Sequence, residues 1–226
     1  MRRAMIFKRR YLRSPLLERE PLRRILARFL PAYTRTHRLP WPFVGGLVAA
    51  ILATTPAAAA EYAGIMLPDK VQALGKTLVL NGAGLRTFSV LDVHIYVIGL
   101  YLPKPDHDPQ AILNSPGPKM LLLYFVHDVP AEKVRNAWKQ GLNANCVLPC
   151  VLPPALLSRF LAFLPAVSAG ETVELLFGPK EMQAYFNGKL AGTISDPDFA
   201  RLMLEAWLGP HPASPDLKAA LLGAQG

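Results

Sequence analysis

Arg86 and Tyr96 are the residues whose types and spacing best suit binding chemistry. Leu80-Asn81-Gly82-Ala83-Gly84-Leu85-Arg86 reads as a tight Gly-rich turn that delivers one arginine onto a strand. Ile95-Tyr96-Val97-Ile98-Gly99-Leu100-Tyr101-Leu102 follows as a long apolar strand with embedded tyrosines. Arg86 and Tyr96 are equidistant from Leu91. An odd-numbered hairpin loop centred there makes them cross-strand partners on one face, with Cβ atoms ~4.5–5.5 Å apart. A guanidinium fork beside a phenol hydroxyl offers a carboxylate two charge-assisted bonds and one neutral donor. From Tyr96 the same face continues through Ile98, Leu100 and Leu102, an apolar wall leading away from the clamp, so the pattern suits a long apolar acid. A two-residue turn would instead put Tyr96 on the opposite face. The competing reading is an arginine paired with a carboxylate of the protein itself, with Tyr96 as plain core.

Other chemistry finds little support. Gly82-x-Gly84 is followed by a strand pattern rather than a helix, so it is not a dinucleotide loop. His94, His127 and Asp128 do not form a triad by spacing, no Gly-x-Ser-x-Gly elbow exists, and no His pair has metal-ligand spacing. Neither a metal nor a cofactor is implied. Trp138 and Trp207 fall on apolar helix faces and read as core. Cys146 and Cys150 are the only cysteines. Four residues apart, they suit a local disulfide in an oxidising compartment and make a poor zinc site; a pair of free buried thiols is the alternative.

The elements that position these residues lie in the second part of a chain with divided charge. Residues 1–60 hold 12 Lys/Arg against Glu18 and Glu20, and residues 61–226 hold 13 Lys/Arg against 14 Asp/Glu. The basicity therefore belongs to the leader, and the rest has no excess charge with which to neutralise phosphates, which argues against nucleic acid as a partner. The leader reads as an export signal: a basic region ending at Arg38, an uncharged run from Trp41 to Ala60, and Ala57–Ala60 offering cleavage before Glu61. An uncleaved anchor is the alternative, since the uncharged run is just long enough to span a bilayer. The expected organisation is a leader over 1–60 and one domain over 61–226, exported to the periplasm.

Within that domain, strands are expected at Thr77 to Leu80, Arg86 to Val90, Val93 to Leu102 and Met120 to Val126. Val93 to Leu102 is apolar on both faces and so central in its sheet. Gln110 to Leu113 suggests one helical turn. Pro130 suits the first turn of a helix, capped by Asp128 and carrying Val134, Trp138 and Leu142 at helical spacing. Pro153-Pro154 opens another helix. Glu171 to Phe177 is a strand, and Met182 to Phe186 with Leu190 to Ile194 flank the hairpin signal Asn187-Gly188. Asp196-Pro197 caps a helix running to Leu208, and Ser214-Pro215-Asp216 starts a last short one. Hairpin-like strands with grouped helices give an α+β class with a mostly antiparallel sheet.

At Asn81 to Arg86 and Ile95 to Leu102 the chain resembles the chalcone isomerase superfamily, and most of all its bacterial exported chalcone-isomerase-like domains. Glu132-Lys133-Val134, Leu204 to Gly209 and Ser214 to Lys218 agree with it, so the likeness runs from about Gly64 to Leu222. The resemblance implies an open-faced β-sandwich, a large antiparallel sheet with helices packed on one face and a cleft between them. Ring-closing members of the superfamily match this chain at Arg86, but their other polar positions fall on Tyr96 and near Pro130, Ala137 and Ala200. The resemblance thus implies a non-catalytic member that holds a fatty acid or similar carboxylate through Arg86 and Tyr96; Ile98, Leu100, Leu121, Leu123, Val134 and Trp138 are the candidates for lining its tail site. The alternatives are an intramolecular lyase with a rewired site using Arg86 and Tyr96, and a structural or interaction module of the cell envelope.

Overall fold

The computed structural model describes residues 61–88 and 92–223. The leader expected over 1–60, and residues 89–91 at the centre of the expected hairpin, lie outside them. In chain order the elements are β1 (Glu61–Tyr62), β2 (Ile65–Met66), β3 (Lys70–Ala73), β4 (Lys76–Phe88), β5 (Val93–Leu102), α1 (Pro109–Asn114), β6 (Lys119–Phe125), α2 (Ala131–Asn145), α3 (Pro154–Ala162), β7 (Thr172–Phe177), β8 (Met182–Phe186), β9 (Lys189–Ile194), α4 (Pro197–Leu208) and α5 (Pro215–Leu221). Strands β3 to β9 form one seven-stranded sheet in sequence order, every pairing antiparallel. The α+β class with an antiparallel sheet is the observed one.

Strand alternation divides the core in two. Ile98, Leu100 and Leu102 of β5, Leu121, Leu123 and Phe125 of β6, and Val173, Leu175 and Phe177 of β7 face the helices and pack with Leu142, Phe160, Met203 and Trp207. Val97, Tyr101, Met120 and Leu176 belong to smaller clusters, which the period-2 alternation puts on the other face. Leu67 is buried beside Val97, and the Tyr101 hydroxyl donates to the Pro68 carbonyl at 2.9 Å. The segment carrying the small β1–β2 hairpin thus covers part of that face. Strands β1, β2 and β3 carry no apolar alternation long enough to announce them in sequence.

Local signals explain most boundaries. Asp108, Asp196 and Ser214 each accept a bond from a first-turn amide of α1, α4 and α5, with proline in the first turn. Asn187 and Gly188 take positive φ values of 50° and 72°, as a two-residue hairpin turn requires. The cap expected from Asp128 is not formed. Helix α2 starts at Ala131 with Pro130 at the cap, so Asp128 lies two residues too early and instead accepts a bond from the Ala169 amide at 2.8 Å.

The largest correction concerns Leu80 to Arg86. These residues are not a turn between two strands but the middle of β4, a single strand of 13 residues. Gly82 and Gly84 are there because α5 lies directly on them. A Cβ on Gly82 would collide with the Ala220 and Leu221 carbonyls, and one on Gly84 would sit 2.7 Å from Leu217 Cδ1. Asn81 is an extra residue in β4, since Leu80 pairs with Tyr101 and Gly82 already with Leu100. Its buried amide donates to the Leu221 carbonyl at 2.9 Å and accepts from the Asp106 amide at 2.7 Å, which fastens the C-terminal helix to the strand.

Candidate ligand site

Gly82, Gly84 and Arg86 follow one another at strand spacing on the helix-facing side of β4. The glycines lie beneath α5, and Arg86 is the next residue on that side beyond it. Arg86 is the cross-strand partner of Tyr96, the register expected from the sequence, but by a different route. The hairpin closes on the pair Phe88 and Val93, which leaves an even number of residues between them. That register alone would set Arg86 opposite Ile95. A bulge between Arg86 and Thr87 absorbs one residue of β5 and brings Tyr96 back opposite Arg86. The Arg86 guanidinium donates through Nη1 to the Thr87 carbonyl at 2.7 Å, which steadies the side chain at the bulge.

Tyr96 sits among aromatic groups from both layers. Its ring lies 5.4 Å from that of Phe125 on β6. Its hydroxyl receives the indole N–H of Trp207 on α4 at 3.2 Å. Trp207 packs edge-on against Trp138 of α2 at 5.2 Å, and Trp138 against Phe160 of α3 at 4.8 Å. An indole N–H can only donate, so the Tyr96 hydroxyl acts as acceptor toward Trp207 and keeps its own proton to give elsewhere. Burial pushes the Tyr96 pKa above the ordinary phenol value, although the Trp207 bond and the Arg86 charge each pull it down. Tyr96 is therefore a neutral hydrogen-bond donor over the physiological range.

Among the described residues the ion pairs are Asp92–His94 and Arg201–Glu205, and Arg86 belongs to neither. The competing expectation, an internal carboxylate partner for Arg86, is not met there. Among the described residues the Arg86 guanidinium makes one bond, to Thr87, and the phenol opposite it gives its proton to none of them, so the two form a donor-only pair that a ligand group accepting without donating would match. An ionised carboxylate does so.

The residues expected to line a tail site also come together. Ile98 pairs with Leu123 and Leu100 with Leu121 on adjacent strands. All four are buried in the helix-side core, and Val134 and Trp138 of α2 pack against that core. Ile98, Leu100 and Leu121 are fully buried, so this layer is filled by protein side chains. Two cavities lie elsewhere, one of about 250 Å³ beside Lys119, Phe177 and Arg201, the other of about 460 Å³ beside His107 and Leu222. Cys146 and Cys150 are joined in a disulfide, with Cα atoms 5.1 Å apart.

Sequence reasoning missed Trp207, assigning it to plain core. The signal available was its indole N–H, a donor that needs a partner when buried. It also missed Phe125, which a strand ending at Val126 did not mark for the site.

Among solved structures, a fatty-acid binding protein of Arabidopsis thaliana matches with a TM-score of 0.60 at 17% identity, over 70% of this chain and 92% of that one. At that identity the likeness establishes the fold. No curated protein matches the sequence. The family model described as chalcone isomerase-like matches residues 59–223, which cover the whole sheet, its helices and the Arg86–Tyr96 pair. The chain belongs to the chalcone isomerase-like family.

Proposed function

We propose that this chain is a non-catalytic binding protein for a fatty acid or similar apolar carboxylate. Arg86 and Tyr96 hold the head group, and the tail lies between the sheet and helices α2 and α4, against Ile98, Leu100, Leu121, Leu123, Val134 and Trp138. The observation that carries this reading is the donor-only pair: Arg86 directly opposite Tyr96, with the phenol oxygen already accepting from Trp207. The related fold of a fatty-acid binding protein supports the ligand class. The uncharged run ahead of Glu61 supports export to the periplasm, where such a carrier would meet envelope lipids.

Because the helix-side layer is filled, a bound tail displaces side chains between the sheet and α2 and α4. Trp138 and Trp207 sit at that seam, so ligand entry changes their emission. The isomerase alternative is disfavoured by the same geometry. A phenol whose pKa is raised by burial is a weak acid, and its polar neighbours, the Arg86 guanidinium and the Trp207 indole, are both donors, with no base among them to activate an attacking group.

The test is titration of the full chain with a long-chain fatty acid and with the fatty alcohol of equal length, followed by tryptophan emission and calorimetry. The acid binds and the alcohol binds far more weakly. Arg86→Ala loses the acid while far-ultraviolet circular dichroism stays native. Equal affinity for acid and alcohol, or unchanged affinity in Arg86→Ala, contradicts the reading.

A further inference from the structure

Between Glu132 and Glu171 the chain has no acidic residue and four basic ones, Lys133, Arg135, Lys139 and Arg159. The rest of residues 61–226 holds the other nine Lys/Arg against all 14 Asp/Glu. This basic segment comprises α2 beyond its first-turn Glu132, the loop after it and α3. At its centre stands Cys146-Val147-Leu148-Pro149-Cys150-Val151-Leu152, the most exposed apolar stretch of the described chain. Val147, Leu148 and Val151 are 56%, 91% and 78% exposed. Scattered apolar residues on a surface need no explanation, but three branched side chains on one loop do.

The loop is built to hold them outward. Cys146, Cys150 and Leu152 pack toward the core. The disulfide closes the loop, and the Cys150 amide donates to the Val147 carbonyl at 2.9 Å. The base is fixed as well. The buried Asn145 amide donates to the Gly141 and His211 carbonyls, both at 2.9 Å, and accepts from the His211 amide at 3.0 Å. Helices α2 and α3 are tied together by the Arg135 guanidinium, which donates to the Leu161 carbonyl at 3.2 Å. Lys139 and Arg159 are exposed on those two helices, one on each side of the loop.

We infer that the Cys146–Leu152 loop is a preformed tip that inserts into an anionic lipid surface. Apolar side chains at the point of a convex, cross-linked loop enter the acyl boundary, and the flanking cations meet lipid phosphates. The excess of positive charge on this segment, set against a net negative remainder, orients the domain with the loop toward an anionic bilayer. This contact belongs to the folded domain and is separate from the leader. It requires no fatty acid in the helix-side layer, so its failure leaves the ligand reading untouched.

The test is hydrogen exchange of the full chain, read peptide by peptide, on vesicles of phosphatidylglycerol mixed with phosphatidylcholine and on vesicles of phosphatidylcholine alone. The peptide reading separates the loop from the leader. On the anionic vesicles the amides of Val147, Leu148, Val151 and Leu152 exchange about fivefold more slowly or better. The effect weakens on the neutral vesicles and with added salt. Leu148→Asp combined with Val151→Asp removes it, and Lys139→Glu with Arg159→Glu reduces it, while circular dichroism stays native. Unchanged loop exchange on anionic vesicles overturns the inference, even if the chain sediments with them. So does equal slowing in the double-Asp variant. Slowing produced by a lipid-free periplasmic extract but by neither vesicle overturns it in favour of a protein partner.

Discussion

Arg86 and Lys119 are both cations on the same sheet, and among the described residues neither is paired with a carboxylate. They stand at opposite ends of it. Phe125, the β6 partner of Tyr96, is six residues from Lys119, which at strand rise is about 20 Å. The two differ in how their donors are used. Lys119 is only 5% exposed, and its Nζ donates to the Ser115 and Gly117 carbonyls at 2.6 and 3.1 Å, just past the end of α1. It closes a helix end, and burial lowers its pKa. Among the described residues Arg86 gives one N–H, to the Thr87 carbonyl, and it stands opposite a phenol whose oxygen accepts from Trp207. A buried cation whose donors end on backbone is structural. A half-buried cation opposite a second donor, with no carboxylate partner among the described residues, is where the head group of the proposed ligand would sit.

Four substitutions probe that contrast. Arg86→Ala has the largest effect: fatty-acid affinity falls about a hundredfold or more, near 3 kcal/mol, by calorimetric titration. Gly82→Val comes next and acts on stability rather than on the ligand. The α5 carbonyls above it are backbone and cannot swing aside, so a denaturant melt loses about 3 kcal/mol. Tyr96→Phe removes the neutral donor and strands the Trp207 N–H, which lowers affinity roughly fivefold, or about 1 kcal/mol. Lys119→Met is the control with the smallest effect. Affinity is unchanged, and the melt shifts by about 1 kcal/mol or less. A loss of ligand in Lys119→Met equal to that in Arg86→Ala would erase the distinction between the two cations.

The pH dependence follows from Tyr96. Its folded pKa lies above the unfolded value, so the native state holds the phenol proton where the unfolded chain releases it. Stability from this group is intact below about pH 10 and declines above it. Tyr101, raised for the same reason by burial and by nearby Asp69, adds in the same direction. Affinity for a carboxylate accordingly stays flat between about pH 6 and 10 in titrations, because this phenol keeps its proton there. An affinity decline centred near neutral pH would mean that another group carries the head.

The pairing of Arg86 with Tyr96 was legible because strand alternation and residue numbering nearly determine it. The bulge that completes it was not, since one extra residue in β5 leaves no mark in composition. Asn81-Gly82-Ala83-Gly84 shows the opposite case. Its glycines marked it as special, and turn chemistry was the natural local reading. Their cause is a helix about 130 residues further along the chain, and nothing within a short window announces such a contact. The helices after β6 were legible from proline and from Asp or Ser caps, which act locally. The β1–β2 hairpin and β3 were not, being too short to carry a period. Trp207 was read as core from its helix face, and its hydrogen bond to Tyr96 depends on how α4 packs over β5.

On the proposed reading Arg86 holds a carboxylate from outside the chain. Native mass spectrometry of the protein recovered from expressing cells, wild type beside Arg86→Ala, tests it most directly. The account predicts an adduct of fatty-acid mass on the wild type and none on the variant. The same adduct on both proteins, or none on the wild type even after incubation with a long-chain fatty acid, would contradict it.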